Sequence, residues 1–443
     1  MMFTFLAICS ARLVSGFLRL LSKGATTLPG RVALFFKYDI LTKLSKSVRI
    51  ICVTGTNGKT TTCALIEHAL SQCGKSCFIN KSGANMLTGV TTSFIENSTL
   101  FGRCKKDFAV LECDENSLPL ISRYLDAEVL AVTNIFRDQL DRYGEVTHTL
   151  SVIKNGADNM PAACLVLNAD CPLTNSLADS HRHIKYGLDA DFGEIDISEA
   201  RYCPRCENVL TYDKKVFSHL GTYRCNRCGY QRGNTDVAAT DIKLFGENGS
   251  EFTLVTDGDS IPCRTSLGGV YNIYNYICAV SVLKAVDIND FSLLSDFDGA
   301  FGRMEVFKGG GKKVLLLLVK NPVGLSSCVS YASRIHGTDA LVLALNDNAA
   351  DGRDVSWIWD SDIEPLKSMG CGFYTFGTRA YDMTLRLKYS YIPVKQTLTG
   401  EDTASLFEVI DSGKNTVIMA NYTAMMKIRK ALRHRFGGKD FWE

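Results

Sequence analysis

The sequence predicts an α/β fold: a parallel, doubly wound sheet, then a second α/β unit. Three observations carry that reading. From Val48 onward, short apolar runs alternate with segments of helical period, as βα units feeding a parallel sheet do. One such run, Ile50-Ile51-Cys52-Val53-Thr54, leads through a glycine-containing turn into a helix. Between about Asp196 and Asp236 the alternation gives way to Cys, Arg, Tyr and Gly with little helical period, which marks an insertion.

The elements follow in order. Residues 1–21 are rich in Leu, Phe and Val, but the first charge is Arg12, and Arg19 interrupts the run again. A signal peptide would carry a basic leader, and a spanning helix needs ~20 apolar residues free of such charges. An amphipathic helix ending near Gly24 is expected, packed on the core or lying on a membrane surface. Leu28-Pro29-Gly30 reads as a turn. Strands are expected at 48–54, 108–112, 129–134 and 163–168, with helices at 60–73 and 118–124. Residues 238–261 read as antiparallel strands with turns at 247–249 and 257–259, and residues 271–286 as a helix. Gly309-Gly310-Gly311 is expected to be a hinge between domains. Beyond it, 314–319, 340–344, 373–376 and 416–420 read as strands; the first, bounded by Lys312, Lys313 and Lys320, suits a buried parallel strand. The expected division is a helical segment 1–47, a central domain 48–308 with the insertion at about 196–236, and a C-terminal α/β domain 309–443.

Composition narrows the class. The 443 residues suit about three domains at ~150 residues each. Hydrophobic residues at 46% and charged residues at 22% exclude a disordered chain. Lys+Arg 49 against Asp+Glu 47 leaves a net charge of +2, which argues against a general polyanion binder. Seventeen cysteines, an odd number in a long chain, read as a reduced, cytosolic protein with some cysteines given to metal.

Gly55-Thr56-Asn57-Gly58-Lys59-Thr60-Thr61 is the most informative segment. A buried strand, a glycine turn and a helix N-terminus present backbone N–H groups to a phosphate. Lys59 reaches terminal phosphates, and the Thr60 hydroxyl suits Mg²⁺. The strict phosphate-loop pattern wants glycine where Val53 stands, so this is a variant. Cys203-Pro204-Arg205-Cys206 and Cys225-Asn226-Arg227-Cys228 form a second constellation, two C-x-x-C knuckles separated by 18 residues. Four thiolates at this spacing suit a closed, structural Zn²⁺ site. Arg201, Arg205, Arg224, Arg227 and Arg232 keep a nucleic-acid-binding ribbon in view as an alternative.

The loop is similar to that of the Mur ligase family, which includes the folylpolyglutamate synthases, and the resemblance continues in order along the chain. Glu112 ends Phe108-Ala109-Val110-Leu111-Glu112 where that family keeps a Mg²⁺-binding acid; from the residues alone it is equally a solvated acid beside Asp114 and Glu115. Residues 133–141, Thr133 to Asp141, resemble an Asn…Asp-His-Leu-Asp segment, with Gln139 in place of a metal-binding His. Asn272 and Asn275 in Tyr271-Asn272-Ile273-Tyr274-Asn275-Tyr276 resemble a pair that contacts the nucleotide base, Asn272 being also a candidate helix cap. Arg303 in Gly302-Arg303-Met304-Glu305 resembles an arginine that meets the nucleotide across the domain junction. Only about 50 residues precede the loop, so the family's nucleotide-sugar domain and a soluble UDP-linked substrate are not expected.

A ribbon inside a Mur-type domain, Lys320-Asn321-Pro322-Val323-Gly324, and residues 345–360 with Asp351-Gly352-Arg353-Asp354-Val355-Ser356-Trp357 resemble one branch, the synthase subunits of lipid II isoglutaminyl synthases. The resemblance implies a Mur-ligase-type central domain with an inserted zinc ribbon and a Rossmann-like C-terminal domain. It implies ATP, Mg²⁺ and Zn²⁺, and activation of the D-glutamate α-carboxylate of the lipid II stem peptide as an acyl phosphate. Ammonia would come from a class I glutamine amidotransferase in a heterodimer, with no nucleic acid involved and the work done in the cytoplasm, at the inner face of the membrane. Gly55, Thr56, Asn57, Gly58, Lys59, Thr60, Thr61, Asn272, Asn275 and Arg303 would bind ATP, and Thr60 and Glu112 would hold Mg²⁺. Cys203, Cys206, Cys225 and Cys228 would hold Zn²⁺. Asp354, with Asp351 second, would complete the partner's Cys–His pair, and Trp357 and Trp359 beside them suit interface or core equally. Rival readings are another Mur-type amino-acid ligase, such as a folate polyglutamylating enzyme, and a zinc-ribbon ATPase acting on nucleic acid.

Overall fold

A computed structural model describes residues 2–20, 26–80, 83–137, 146–192, 200–246, 249–297 and 304–437. Three helices open the chain: α1 (Met2–Leu20), α2 (Leu28–Phe36) and α3 (Ile40–Leu44). The α/β alternation follows as β1 (Arg49–Thr54), α4 (Lys59–Gln72), β2 (Cys77–Ile79), α5 (Leu87–Glu96), β3 (Phe108–Glu112), α6 (Leu118–Ile121), β4 (Val129–Val132), α7 (Val146–Asp158), β5 (Cys164–Asn168), α8 (Pro172–Asn175) and β6 (His183–Leu188). Every residue of β3, β4 and β5 is buried, which is why these strands read as unbroken apolar runs and not as alternations.

The insertion contributes a separate antiparallel hairpin, β7 (Thr211–Phe217) and β8 (Leu220–Arg224). The chain then returns through β9 (Val237–Leu244), β10 (Ser250–Thr256) and β11 (Asp259–Thr265) to α9 (Val270–Ala285). The first sheet has nine strands in the order β11-β10-β9-β6-β5-β4-β1-β3-β2. The three last strands are antiparallel among themselves, as expected, but β9 also pairs in parallel with β6 and so prolongs the parallel sheet. Asp257 and Gly258, at φ 53° and 86°, make the two-residue β10–β11 turn that a left-handed pair favours. β1 lies between β3 and β4, and the chain crosses to opposite sides of it. That reversal opens a crevice at the carboxyl end of β1, where the glycine loop begins.

The second sheet is built from β12 (Met304–Gly309), β13 (Lys312–Leu318), α10 (Pro322–Ala332), β14 (Ala340–Ala344), β15 (Gly372–Gly377), α11 (Ala380–Tyr389), β16 (Val394–Thr399), α12 (Thr403–Ser412), β17 (Asn415–Ala420) and α13 (Tyr422–Phe436). Its order is β12-β13-β17-β14-β15-β16, parallel except for the β12–β13 hairpin. Here one expectation is corrected. Gly310 and Gly311, at φ 54° and 72°, form the turn of that hairpin, so Gly309-Gly310-Gly311 is not a hinge. Residues 304–308, expected in the central domain, pair within the second sheet. Consecutive glycines suit a flexible linker and a left-handed turn alike; only strand pairing separates the two.

One apolar core unites the first sheet with the N-terminal helices. The second sheet carries a core on each face. The insertion has its own small core of Leu210, Tyr223 and Tyr230 around the cysteines.

Candidate active site

The glycine loop is held by both its own conformation and its neighbours. Gly58 precedes α4 at φ 89°, and a Cβ there would stand 2.1 Å from Asn275 Oδ1. Two demands therefore exclude a side chain at this position: the left-handed backbone and the close approach of Asn275. Thr133 and Asn134, just beyond β4, fasten the loop. Thr56 N donates to Asn134 O at 2.9 Å, Asn57 N to Asn134 Oδ1 at 2.9 Å, and Thr133 Oγ1 to Asn57 O at 2.7 Å. Thr56 Oγ1 donates to Phe136 O at 3.1 Å. These bonds engage the Thr56 and Asn57 N–H groups within the protein and so fix the turn in front of the α4 N-terminus, a setting that favours phosphate.

Lys59 begins α4 with its side chain buried. Its ammonium donates to Gly55 O at 2.5 Å and to Glu115 Oε1 at 2.9 Å. Burial alone would lower its pKa, but Glu115, Glu112 and Asp114 outweigh it and hold Lys59 above the ordinary lysine value. Burial raises the Glu115 pKa in turn, opposed by Lys59 and Lys320. Lys59 is therefore a fixed cation at the mouth of the loop. Thr60 Oγ1 donates to Glu112 Oε2 at 2.7 Å. A hydroxyl and a carboxylate oxygen brought together in this way are hard donors that fit Mg²⁺. Glu112 is held in turn by Asn80, which takes its backbone N–H at 2.8 Å, and by Asn85, whose amide stands 3.5 Å from Oε1. Thr61, one turn into α4, is buried.

α9 brings Asn272 and Asn275 to the other side of the loop. Both are buried, and Asn275 Nδ2 donates to Asn272 Oδ1 at 3.2 Å. Gly269, not Asn272, occupies the cap position of α9, so the capping role for Asn272 is set aside. The second sheet also reaches the loop. Asn321 caps α10 through Gly324 N at 2.8 Å, and its amide donates to Asn57 Oδ1 at 3.1 Å. A cavity of about 290 Å³ lies between the sheets, lined by residues including Phe217, Leu244, Gly269, Tyr271, Tyr331 and Arg334. Arg303 and Gln139 lie outside the described residues. Glu115, Asn80 and Asn321 belong to this site yet carried no role from the sequence; Asn321 had a legible signal in the Asn-Pro pair that opens α10.

The acids of residues 351–360 separate clearly. Asp351 is buried and accepts from the backbone N–H of Thr423 at 2.9 Å and from its hydroxyl. Burial raises its pKa, partly offset by those bonds. Asp354 is half-exposed; it accepts from Ser356 N at 2.8 Å, and Ser356 holds its pKa below the usual value. Trp357 is a core residue, whereas Trp359 is exposed and meets Tyr389 edge-on at 5.5 Å. Asp360 pairs with Arg137, beyond β4, at 3.1 Å.

The four knuckle cysteines converge: their Sγ atoms all lie within 4.8 Å of one another, with Cys203–Cys228 at 3.6 Å and Cys206–Cys225 at 3.5 Å. A tetrahedron of Zn–S bonds of ~2.3 Å has edges of roughly 3.8 Å, so the donor set and its spacing fit Zn²⁺. All four are free thiols. Backbone N–H groups of Cys228 and Arg227 draw the Cys225 thiol down to about 6. Three arginines of the insertion pair with acids: Arg205 with Asp179 at 2.6 Å and Arg224 with Asp213 at 3.5 Å at the surface, and Arg232 with the fully buried Asp170. Tyr274 of α9 donates to that same Asp170 at 2.7 Å.

Comparison with known proteins extends this picture. Residues 53–220 match the Mur ligase middle domain, and residues 318–425 match the MurT ligase C-terminal domain. The chain is 35% identical to the lipid II isoglutaminyl synthase (glutamine-hydrolysing) subunit MurT of Streptococcus pneumoniae, covering 93% of each chain. It is 34% identical to the corresponding Staphylococcus aureus subunit, covering 98% of each. Among solved structures it resembles a pseudomurein peptide ligase type C from Methanothermus fervidus (TM-score 0.70, 21% identity, 90% of this chain and 81% of that one). A MurF from Acinetobacter baumannii is similar too (TM-score 0.67, 17% identity, 92% and 81%).

Proposed function

The chain belongs to the MurT branch of the Mur ligase family, and from that premise we propose how its own residues carry the reaction. It is the ATP-dependent ligase subunit of a lipid II isoglutaminyl synthase, and it amidates lipid II in peptidoglycan biosynthesis. Mur ligases use ATP and Mg²⁺, and the subunit works in a complex with a glutaminase.

The finer reading is as follows. Gly55, Thr56, Asn57 and Gly58 form the loop that turns around the β- and γ-phosphates of ATP, and the first-turn N–H groups of α4, with Thr61, receive them. Lys59 neutralises charge there. Thr60 and Glu112 would hold Mg²⁺, which supplies further charge neutralisation at the phosphates. Asn272 and Asn275 meet the base, and Arg303 acts across the junction. An oxygen of the D-glutamate α-carboxylate attacks the γ-phosphorus, giving an acyl phosphate and ADP; ammonia then attacks the acyl carbon and phosphate leaves. No nucleophilic side chain is needed, since positioning and electrostatics carry the step. Asp354 is assigned to the Cys–His pair of a class I glutaminase, where a carboxylate holds the imidazole tautomer. Cys203, Cys206, Cys225 and Cys228 are assigned to one structural Zn²⁺ within an inserted ribbon. The reaction is placed at the cytoplasmic face of the membrane.

The observation that carries this reading is the convergence of Lys59, Thr60, Glu112, Asn275 and Asn321 on one glycine loop. Its test is mass spectrometry of lipid II incubated with ATP, glutamine, this chain and its glutaminase. Exchange of hydroxyl for amine lowers the mass by about one dalton, and Lys59→Ala abolishes that change, by at least ~10³-fold in rate. Wild-type rates in Lys59→Ala overturn the assignment of the loop.

A further inference from the structure

The first helix packs on the core with its small side and leaves its large apolar side chains outside. The residues that α1 turns inward are mostly small: Thr4, Ala7, Ile8, Ala11 and Ser15. Met2, Leu6, Leu13, Phe17 and Leu20 are exposed, by 43% to 85%. At ~100° per residue these five fall within roughly 60° of one another, on the side opposite the buried set. Arg12 and Arg19 stand on the flank and stitch α1 to α5, through Ile95 O at 3.0 Å and Glu96 at 2.7 Å. Neither crosses the apolar stripe. α2 adds exposed Leu28 and Phe35 with Arg31 between them, and Phe101 meets Phe5 at 6.1 Å. Bases lead along this part of the sequence: Arg12, Arg19, Lys23, Arg31 and Lys37 precede the first acid, Asp39; Arg19 pairs with Glu96 and Lys37 with Asp39.

We infer that this face of α1 and α2 is an interfacial anchor that lies on an anionic lipid bilayer. A bilayer surface answers both features together, the uncharged apolar stripe and the excess of cations beside it, where Arg12 bonds a carbonyl and not an acid and Arg31 is exposed. α1 lies on such a surface and does not cross it, because its inner face and both arginines are tied to the protein. The location also suits the chemistry. α2 is pressed against α5 at Gly30, where a Cβ would meet Thr88 O at 1.9 Å. The segment leading into α5 places Asn85 beside Glu112. The anchor is thus fixed to the helix that leaves the acyl-activating site, where a lipid-linked carboxylate has to arrive. The purpose of the anchor rests on the lipid II reading; its binding to lipid does not.

The test is flotation of the full chain, in complex with its glutaminase, on vesicles of phosphatidylcholine with or without phosphatidylglycerol and with no lipid II. The wild type is expected to float with the anionic vesicles and less with the neutral ones. Leu13→Glu with Phe17→Glu, and separately Phe35→Glu, is expected to weaken that partitioning about tenfold or more. Both variants should amidate detergent-dispersed lipid II at the wild-type rate, which confirms that they are folded. Wild-type protein that stays with the soluble fraction, or variants that float equally well, overturn the anchor. Flotation without any amidation of lipid II overturns the functional reading and leaves the anchor standing.

Discussion

Asp351 and Asp354 stand three positions apart, are the same residue type and do different things. Asp351 is enclosed, and its carboxylate accepts from both the backbone N–H and the hydroxyl of Thr423, 72 residues away in the chain. Asp354 is half-exposed and accepts from Ser356 N. Asp354→Ala is therefore expected to lower glutamine-driven amidation by ~10³–10⁴-fold while leaving amidation with free ammonia within about twofold of wild type. Asp351→Ala is expected to lower stability by ~1–3 kcal/mol, because it leaves the Thr423 N–H buried without an acceptor. Parallel assays with glutamine and ammonium chloride, together with urea melts, separate the two; equal loss with both nitrogen sources would make Asp354 structural. The residue types and order were legible in the sequence, and so were Lys59 and Thr60, because strand, glycine turn and helix follow one another without a gap; Glu112, on β3, was reached only through the family resemblance. Glu115 and Asn80 were not: each lies just beyond a neighbouring strand and acts on Lys59 or Glu112 across the sheet, which no local pattern encodes.

Elements buried on both faces were the easiest to read. β3 and β14, Phe108–Glu112 and Ala340–Ala344, were placed to the residue because an unbroken apolar run has few alternatives. β16 was missed, since Val394–Thr399 is half polar and lies at a sheet edge, where one side needs no apolar partner. The triple glycine misled for a related reason, as its meaning depends on what pairs beside it. The hairpin of the insertion is a further case. Its few apolar residues are too small a core for a unit of its own, and two tyrosines clamp it to α8: Tyr230 OH donates to Pro172 O at 2.6 Å, and Asn175 to Tyr223 OH at 2.8 Å. One zinc per chain is expected by elemental analysis, falling to background in Cys203→Ser with Cys228→Ser. Strong chelation should lower the melting temperature. Full stability in a zinc-free preparation would remove the metal from the account.

The molecule as a whole has a buried base where the insertion meets the first sheet. His219 is enclosed between Phe136, with ring centroids 4.7 Å apart, and Cys171, at 3.5 Å. Burial brings its pKa down to about 3. In the unfolded chain the imidazole takes up a proton below about 6.5; in the folded chain it does not until about 3. Its contribution to stability is thus complete above ~6.5 and is lost as the pH falls toward 3, at up to ~1.4 kcal/mol per pH unit. His219→Phe is expected to flatten the pH dependence of urea-melt stability between pH 6.5 and 4 relative to wild type. Identical slopes would mean that the folded imidazole takes up its proton as readily as the unfolded one.

With Asp354 assigned as above, its half-exposed position has a consequence for how a cell must make this protein. A glutamine-hydrolysing centre whose third member sits on a separate polypeptide is incomplete until the two meet. Surplus glutaminase made without this chain would leave the glutamine pool untouched, and surplus of this chain would lack its nitrogen supply. On that assignment, neither product made in excess would do the reaction alone.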